Sequence, residues 1–216
     1  GKSKVLVDNI AMLYDKGAIR AALLVAPKGV YKNWDDIEFP VHMPDHIEYS
    51  KILWEPKNTQ TKLKELETLL DGKEELKILI MNVEALSTSK GLDFAQRFLN
   101  IFVGKALIGI DESTTIKTPT AIRTQNILKI GNLAKYRRIL TGSPVTKSPL
   151  DLFSQCKFLD PYHLGYDNYT TFKNRYAEIK HEWFGGRQVP VVVGYRYLDE
   201  LTEKLDGFSY RVLKED

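Results

Sequence analysis

Four short runs in the 216-residue chain are apolar almost without interruption: Ala21–Ala26, Lys77–Met81, Ala106–Ile110 and Arg138–Thr141. A strand with one face in water alternates apolar and polar residues. An unbroken run predicts a strand covered on both faces, as in a parallel sheet between helical layers. The segments between the runs have helical character. Lys4–Lys16 offers Val5, Ile10 and Leu13 to one face. Thr61–Leu70 carries Leu63, Leu66, Leu69 and Leu70 at helical spacing and is closed by Asp71-Gly72. Leu92–Phe102, Ala121–Ile130 and Leu150–Leu159 follow, the last stopped by Asp160-Pro161. Strands alternating with helices predict a doubly wound α/β domain, with a mostly parallel sheet flanked by helices.

The last quarter reads differently. Glu182–Val189 contains Gly185-Gly186, suited to the positive φ values of a tight hairpin turn, and Val191–Val193 supplies a return strand. Tyr197–Leu205 then reads as a short helix. The expectation is one domain over residues 1–216, with a β-hairpin inserted at about 180–196.

Composition narrows the function classes. Hydrophobic residues at 43% and charged residues at 27% describe a globular chain. No apolar run approaches the ~18 residues of a membrane span, and no secretory signal is present. The single cysteine, Cys156, excludes a disulfide framework and suits a reducing compartment. It reads as a core residue, and the four histidines lack metal-ligand spacing. A net charge of +3 is too small to announce a nucleic-acid partner, so such a claim rests on placed residues.

Three segments carry chemistry. Gly1-Lys2-Ser3 precedes a helix and matches the end of a phosphate-binding loop, G-x-x-x-x-G-K-[ST]. In such a loop the helix N-terminus favours phosphate, the lysine reaches the β- and γ-phosphates, and the hydroxyl ligates Mg²⁺. The front half of that loop is absent, and three residues alone equally fit a chance terminus. Second, the run Leu107–Ile110 ends in Asp111-Glu112, where doubly wound folds bind ligands. Asp111 suits a Mg²⁺ ligand and Glu112 a general base. A solvated acidic turn looks the same. Third, Ile139-Leu140 leads into Thr141-Gly142-Ser143-Pro144, whose hydroxyls can bond neighbouring carboxylates and sense the γ-phosphate. Gly and Pro there also fit a plain strand-to-turn transition.

Taken in order, these segments resemble the N-terminal RecA-like lobe of a Swi/Snf-like ATPase of helicase superfamily two. LIGIDESTTIK (107–117) resembles the acidic box and its trailing Ile-Lys, and RILTGSPVTKSPLDLFSQCKFLD (138–160) the family's LTGTP segment. LVAPKGVYKNW (24–34) and ILIMNVEALS (78–87) resemble the strand ends between. Tyr169–Tyr176 and Tyr197–Asp216, ending FSYRVLKED, resemble the exit from the lobe. Ser113 and Thr114 stand where many relatives have Ala-His, and Ser143 where Thr is commoner.

The resemblance implies a P-loop NTPase fold and an ATP hydrolase that translocates on double-stranded DNA. A strand-separating DNA or RNA helicase, or an isolated binding module, are the alternatives. It implies Mg²⁺–ATP as cofactor. Gly1, Lys2, Ser3, Thr141, Gly142 and Ser143 would bind the nucleotide, Ser3 and Asp111 the metal, and Glu112, Asp111 and Lys2 would carry catalysis. DNA contacts are expected from Lys28, Lys32, Asn33, Lys117 and Thr118, on loops opposite the nucleotide pocket. Trp34 and Trp54 read as packing aromatics; Trp183 and Phe184, near a hairpin tip, read as loop packing or, alternatively, as a partner-binding or DNA-facing wedge. The resemblance further implies residues before Gly1, a second lobe in the same polypeptide, and little DNA-stimulated turnover by this chain alone. The compact chain suggests a bacterial or phage protein acting in the cytoplasm, without a membrane.

Overall fold

The computed structural model describes residues 1–56, 59–70 and 75–210. Five strands form one sheet in the order β2 (Tyr49–Leu53), β3 (Leu76–Asn82), β1 (Ala21–Ala26), β4 (Ala106–Ile110), β5 (Tyr136–Ile139). Every pairing in it is parallel. The three inner strands are buried along their whole length, which explains their unbroken apolar runs. Lys77 interrupts one run, and its buried ammonium bonds Glu75 at 3.0 Å and Ser50 at 3.3 Å.

The edge strands are where sequence and structure part. β5 lies over Tyr136–Ile139, not Arg138–Thr141, because an edge strand is half-buried and tolerates Arg137 and Arg138. Leu140 still donates to Ile110 O at 2.8 Å as the chain leaves the ladder. β2 escapes an apolar-run criterion for the same reason: Ser50 and Lys51 interrupt it at the other edge.

Two apolar layers sandwich the sheet. On one face lie α1 (Lys2–Asp15) and a compound segment in which α2 (Tyr31–Asn33) passes through a π turn (Trp34–Glu38) into α3 (Phe39–His42). Leu6, Val7, Ile10, Tyr31, Trp34 and Phe39 pack there on Ala22, Leu24, Ile78, Ile80 and Leu107. α1 begins two residues before the predicted start, and Val5 is 65% exposed; Leu6 and Val7 take the core positions instead. The other face is covered by α4 (Thr59–Leu70), α5 (Ser89–Ile101) and α6 (Ile122–Gly131), seating Leu66, Phe94, Phe98, Ile127 and Ile130 on Leu23, Val25, Leu79, Met81, Ile108 and Ile110. The predicted Asp71-Gly72 stop and the final six residues lie outside the described residues.

A third apolar cluster holds the last quarter. It joins α7 (Leu152–Leu159), α8 (Tyr169–Tyr176) and α9 (Leu198–Asp206) through Leu152, Phe153, Cys156, Phe172, Tyr176 and Leu201. Cys156 is a core residue, and burial pushes its thiol up to about 12. The hairpin strands β6 (Ala177–Phe184) and β7 (Arg187–Tyr195) pair antiparallel in a separate two-stranded ribbon. The ribbon starts earlier than expected, directly from the end of α8. Trp183 and Phe184 are 69% and 55% exposed, so the loop-packing expectation for them is wrong: the strands carry them past the cluster that would have covered them.

Candidate active site

The carboxyl edge of the sheet gathers the three chemical segments. α1 packs closely over Gly109 of β4: a Cβ at position 109 would stand 2.8 Å from Leu6 Cδ2 and would make that side chain shift. The N-terminal turn of α1 then meets the residues that follow β4. Lys2 Nζ lies 3.2 Å from Glu112 Oε1, and a Cβ at Gly142 would lie 3.6 Å from the same nitrogen. Lys2, Glu112 and the Thr141–Ser143 turn therefore converge, although they are more than a hundred residues apart in places. Both partners of the Lys2–Glu112 pair are near half-exposed, so it adds little stability, of order 0–1 kcal/mol.

Backbone conformation aims the two carboxylates differently. Asp111 N donates to Val25 O at 2.8 Å, which ties the residue to the end of β1. Its Oδ1 accepts from Glu112 N at 3.0 Å, and its Oδ2 accepts from Trp34 Nε1 at 2.9 Å. Glu112 occupies the left-handed region at φ 49°. That conformation costs a non-glycine residue roughly 1–3 kcal/mol and swings its side chain away from Asp111 and toward Lys2. Ser113 N then rejoins the neighbouring segment by donating to Leu140 O at 3.0 Å.

Two features escape the sequence reading. Trp34 packs in the core at 1% exposure, as expected, yet its indole N–H also orients Asp111. A buried tryptophan needs an acceptor, and that need was the available signal. The second is a buried polar bridge. Ser113 Oγ donates to Gln155 Oε1 at 2.6 Å, and Gln155 Nε2 donates to Pro144 O at 2.7 Å and Asp151 O at 2.8 Å. Ser113 and Gln155 are both fully buried. A glutamine inside the apolar stretch of α7 was its only trace in the sequence. The bridge joins the turn carrying Asp111 and Glu112 to the segment carrying Thr141–Pro144. Removing one partner strands the other, at a cost of about 1–3 kcal/mol, whereas an apolar pair of similar shape is nearly neutral. Ser113→Ala and Gln155→Leu are therefore each expected to destabilise the chain in urea unfolding. The double substitution is expected to cost less than the sum of the two, because the Ser113–Gln155 bond is counted in both, while the Gln155 bonds to Pro144 O and Asp151 O stay lost; fully additive losses would show that the bond is not coupled.

Beside the bridge, Asp151 Oδ2 accepts from Thr146 N at 3.0 Å, Thr146 Oγ1 at 2.8 Å and Lys147 N at 2.9 Å. Burial alone would raise this carboxyl, but those donors and the Lys117 ammonium together hold it below its ordinary value. Lys117 Nζ lies 3.7 Å from Asp151 and also bonds Thr146 Oγ1.

The residues expected on DNA divide accordingly. Lys28 and Thr118 are exposed. Lys32 pairs with Glu55 at 3.5 Å, Asn33 donates to Glu38 Oε1 at 3.0 Å, and Lys117 is held internally by Asp151. They do not lie opposite the carboxylates. Lys28–Asn33 follow β1 and Lys117–Thr118 follow β4, so both groups leave the same carboxyl edge of the sheet, on its two faces.

A parallel α/β sheet whose carboxyl edge gathers an ammonium, two carboxylates and a hydroxyl-bearing turn is the arrangement of a nucleotide-binding domain. The chain belongs to the SNF2-related domain family, whose profile matches residues 3–215. Membership implies nucleotide use.

Among curated proteins it is similar to the DNA annealing helicase and endonuclease ZRANB3. Identity is 33% over 107 residues for the Bos taurus protein and 32% for that of Homo sapiens, covering 50% of this chain and 10% of those proteins. A Drosophila melanogaster SWI/SNF-related matrix-associated actin-dependent regulator of chromatin subfamily A-like protein 1 is 33% identical over 75 residues, covering 35% of this chain and 10% of that protein. The chain thus spans about a tenth of these relatives. A solved SWI2/SNF2 ATPase core of Sulfolobus solfataricus in complex with dsDNA shares the fold, with TM-score 0.54, 23% identity, and coverage of 76% of this chain and 30% of that one. Among the described residues no helix is long and apolar enough to cross a membrane.

Proposed function

We propose that this chain is the ATP-binding and hydrolysing lobe of a DNA-dependent ATPase that translocates on double-stranded DNA. The observation that carries the reading is the convergence of Lys2, Glu112, Asp111 and the Thr141–Ser143 turn at one sheet edge. The relatives' names and the dsDNA bound to the archaeal core support the DNA partner.

The residues present fit magnesium nucleotide. The first turn of α1 has amides without intrahelical acceptors, and Gly1 caps it with no side chain. Lys2 adds a cation, while Ser3 and Asp111 add the hard oxygens that Mg²⁺ takes. Bound Mg²⁺ supplies charge neutralisation at the phosphates. Every other element of the chemistry belongs to the chain. Lys2 exchanges Glu112 for a phosphate oxygen, since the exposed ion pair is weak. Release of Lys2 leaves Glu112 free to accept a proton from water. Trp34 and the Glu112 amide hold Asp111 in one orientation, and the Ser113–Gln155 bridge holds the Thr141–Ser143 turn beside it. Phosphoryl transfer depends mostly on such positioning and on charge stabilisation.

Lys28 and Thr118, with Lys32, Asn33 and Lys117 once released from their internal partners, would grip DNA phosphates. A second RecA-like lobe of the same polypeptide would complete the motor, acting in a bacterial or phage-infected cytoplasm. Titrating the full-length protein with double-stranded DNA during steady-state ATP hydrolysis tests the reading. Turnover is expected to rise with duplex and to fall with added salt, because phosphate contacts release counterions. ATP turnover indifferent to duplex at low salt would contradict it.

A further inference from the structure

We propose that the β6–β7 ribbon is a blade whose tip aromatics stack on unpaired bases where a DNA duplex opens, an inference that rests on the DNA reading above. A two-residue turn, Gly185 at φ +54° and Gly186 at φ +81°, joins the strands, and pairing continues to the last residues beside it, Phe184 with Arg187. Such a turn fixes the register and leaves no floppy loop. An isolated two-stranded ribbon is marginal in water, so its order comes from its base. There Ala177 is buried, and Ile179 and Val192 pack on the third cluster. Arg196 donates from Nε to Arg175 O at 3.1 Å and from Nη2 to Asn174 O at 2.8 Å. The next residue, Tyr197, is held at φ 57° with the Arg175 guanidinium 3.9 Å from its ring centroid.

Register determines what the tip presents. Directly paired residues share a face, and neighbours along a strand alternate. Trp183 with Gln188 therefore lies on one face, and Phe184 with Arg187 on the other. Rings on opposite faces cannot stack on one base. They suit two bases from two separated strands, with the ribbon between them. From Trp183 through Tyr197 the sequence has no carboxylate, while Arg187 makes no ion pair among the described residues. Behind Phe184 on the same face stand Glu182 and then Lys180, whereas the face of Trp183 carries His181 and Gln188. Exposed flat rings, with the Arg187 guanidinium beside Phe184 and no carboxylate on the Trp183 face near the tip, suit stacking on unpaired bases. Without such a ligand, two large aromatics stand in water at the end of an ordered strand.

The chain carries its own probe. It has three tryptophans, and Trp34 and Trp54 are each 1% exposed, so Trp183 alone is open to quenchers. The experiment titrates the protein with a forked duplex bearing two unpaired arms and with a blunt duplex of equal length, reading tryptophan emission and affinity. The fork is expected to bind about tenfold or more tighter and to quench Trp183, as two stacks imply. Trp183→Ala/Phe184→Ala is expected to erase that preference while leaving blunt-duplex affinity unchanged; both residues are exposed, so folding is spared. Equal affinity for fork and blunt duplex, or a preference that survives the double substitution, overturns the blade and leaves the DNA reading intact. Failure to bind either DNA overturns both.

Discussion

Glu112→Gln in the full-length protein is expected to lower ATP turnover about 10²–10⁴-fold while nucleotide still binds, the range associated with a positioned general base. The amide is isosteric and keeps the left-handed backbone at position 112. It can still accept from Lys2, so the local geometry survives. It cannot take a proton from water. The loss should therefore appear in kcat, with equilibrium binding of a fluorescent ATP analogue close to the parent's. Parental turnover by the variant would mean that Glu112 is not the base.

Lys2→Ala should act earlier, at binding. Lys2 Nζ stands beside both Glu112 and the Gly142 turn, 3.2 Å from the former. Losing a hydrogen bond to a charged group costs about 1.5–3 kcal/mol, which is roughly 10- to 150-fold in affinity. Removing the cation also removes its partner on the developing phosphate charge, so kcat/KM for ATP should fall by at least 10²-fold. The fold should be spared, because Lys2 is exposed and its ion pair adds little. Unchanged kcat/KM with normal folding would remove Lys2 from the phosphate site.

Much of this site was legible because strand ends announce themselves. Two of the buried strands have the boundaries that their apolar runs predict, and the third extends its run by one residue at each end; the chemistry-bearing residues follow the ends of β4 and β5. Edge strands were less legible. β2 and β5 are half-buried, so Ser50, Lys51, Arg137 and Arg138 blur the apolar signal that marks inner strands. The buried polar contacts were illegible for another reason. Ser113 and Gln155 are 42 positions apart, and neither position predicts the other. Trp34 was read as packing, which is half of its role, because a tryptophan's ring and its N–H answer to different neighbours. At the hairpin tip packing was the favoured expectation and an exposed wedge the alternative, because Trp and Phe are more often buried than exposed; the structure exposes both rings. Only the ribbon's register reveals that the two rings face opposite ways.

The central claim is that phosphates bind where α1 meets Glu112. An experimental structure of the protein with Mg²⁺ and a non-hydrolysable ATP analogue tests it most directly. The triphosphate should lie at the N-terminal turn of α1. Lys2 Nζ should have left Glu112 for a phosphate oxygen, and Ser3 and Asp111 should face the metal. Nucleotide bound at another edge of the sheet, with the Lys2–Glu112 pair still closed at 3.2 Å, would contradict the account.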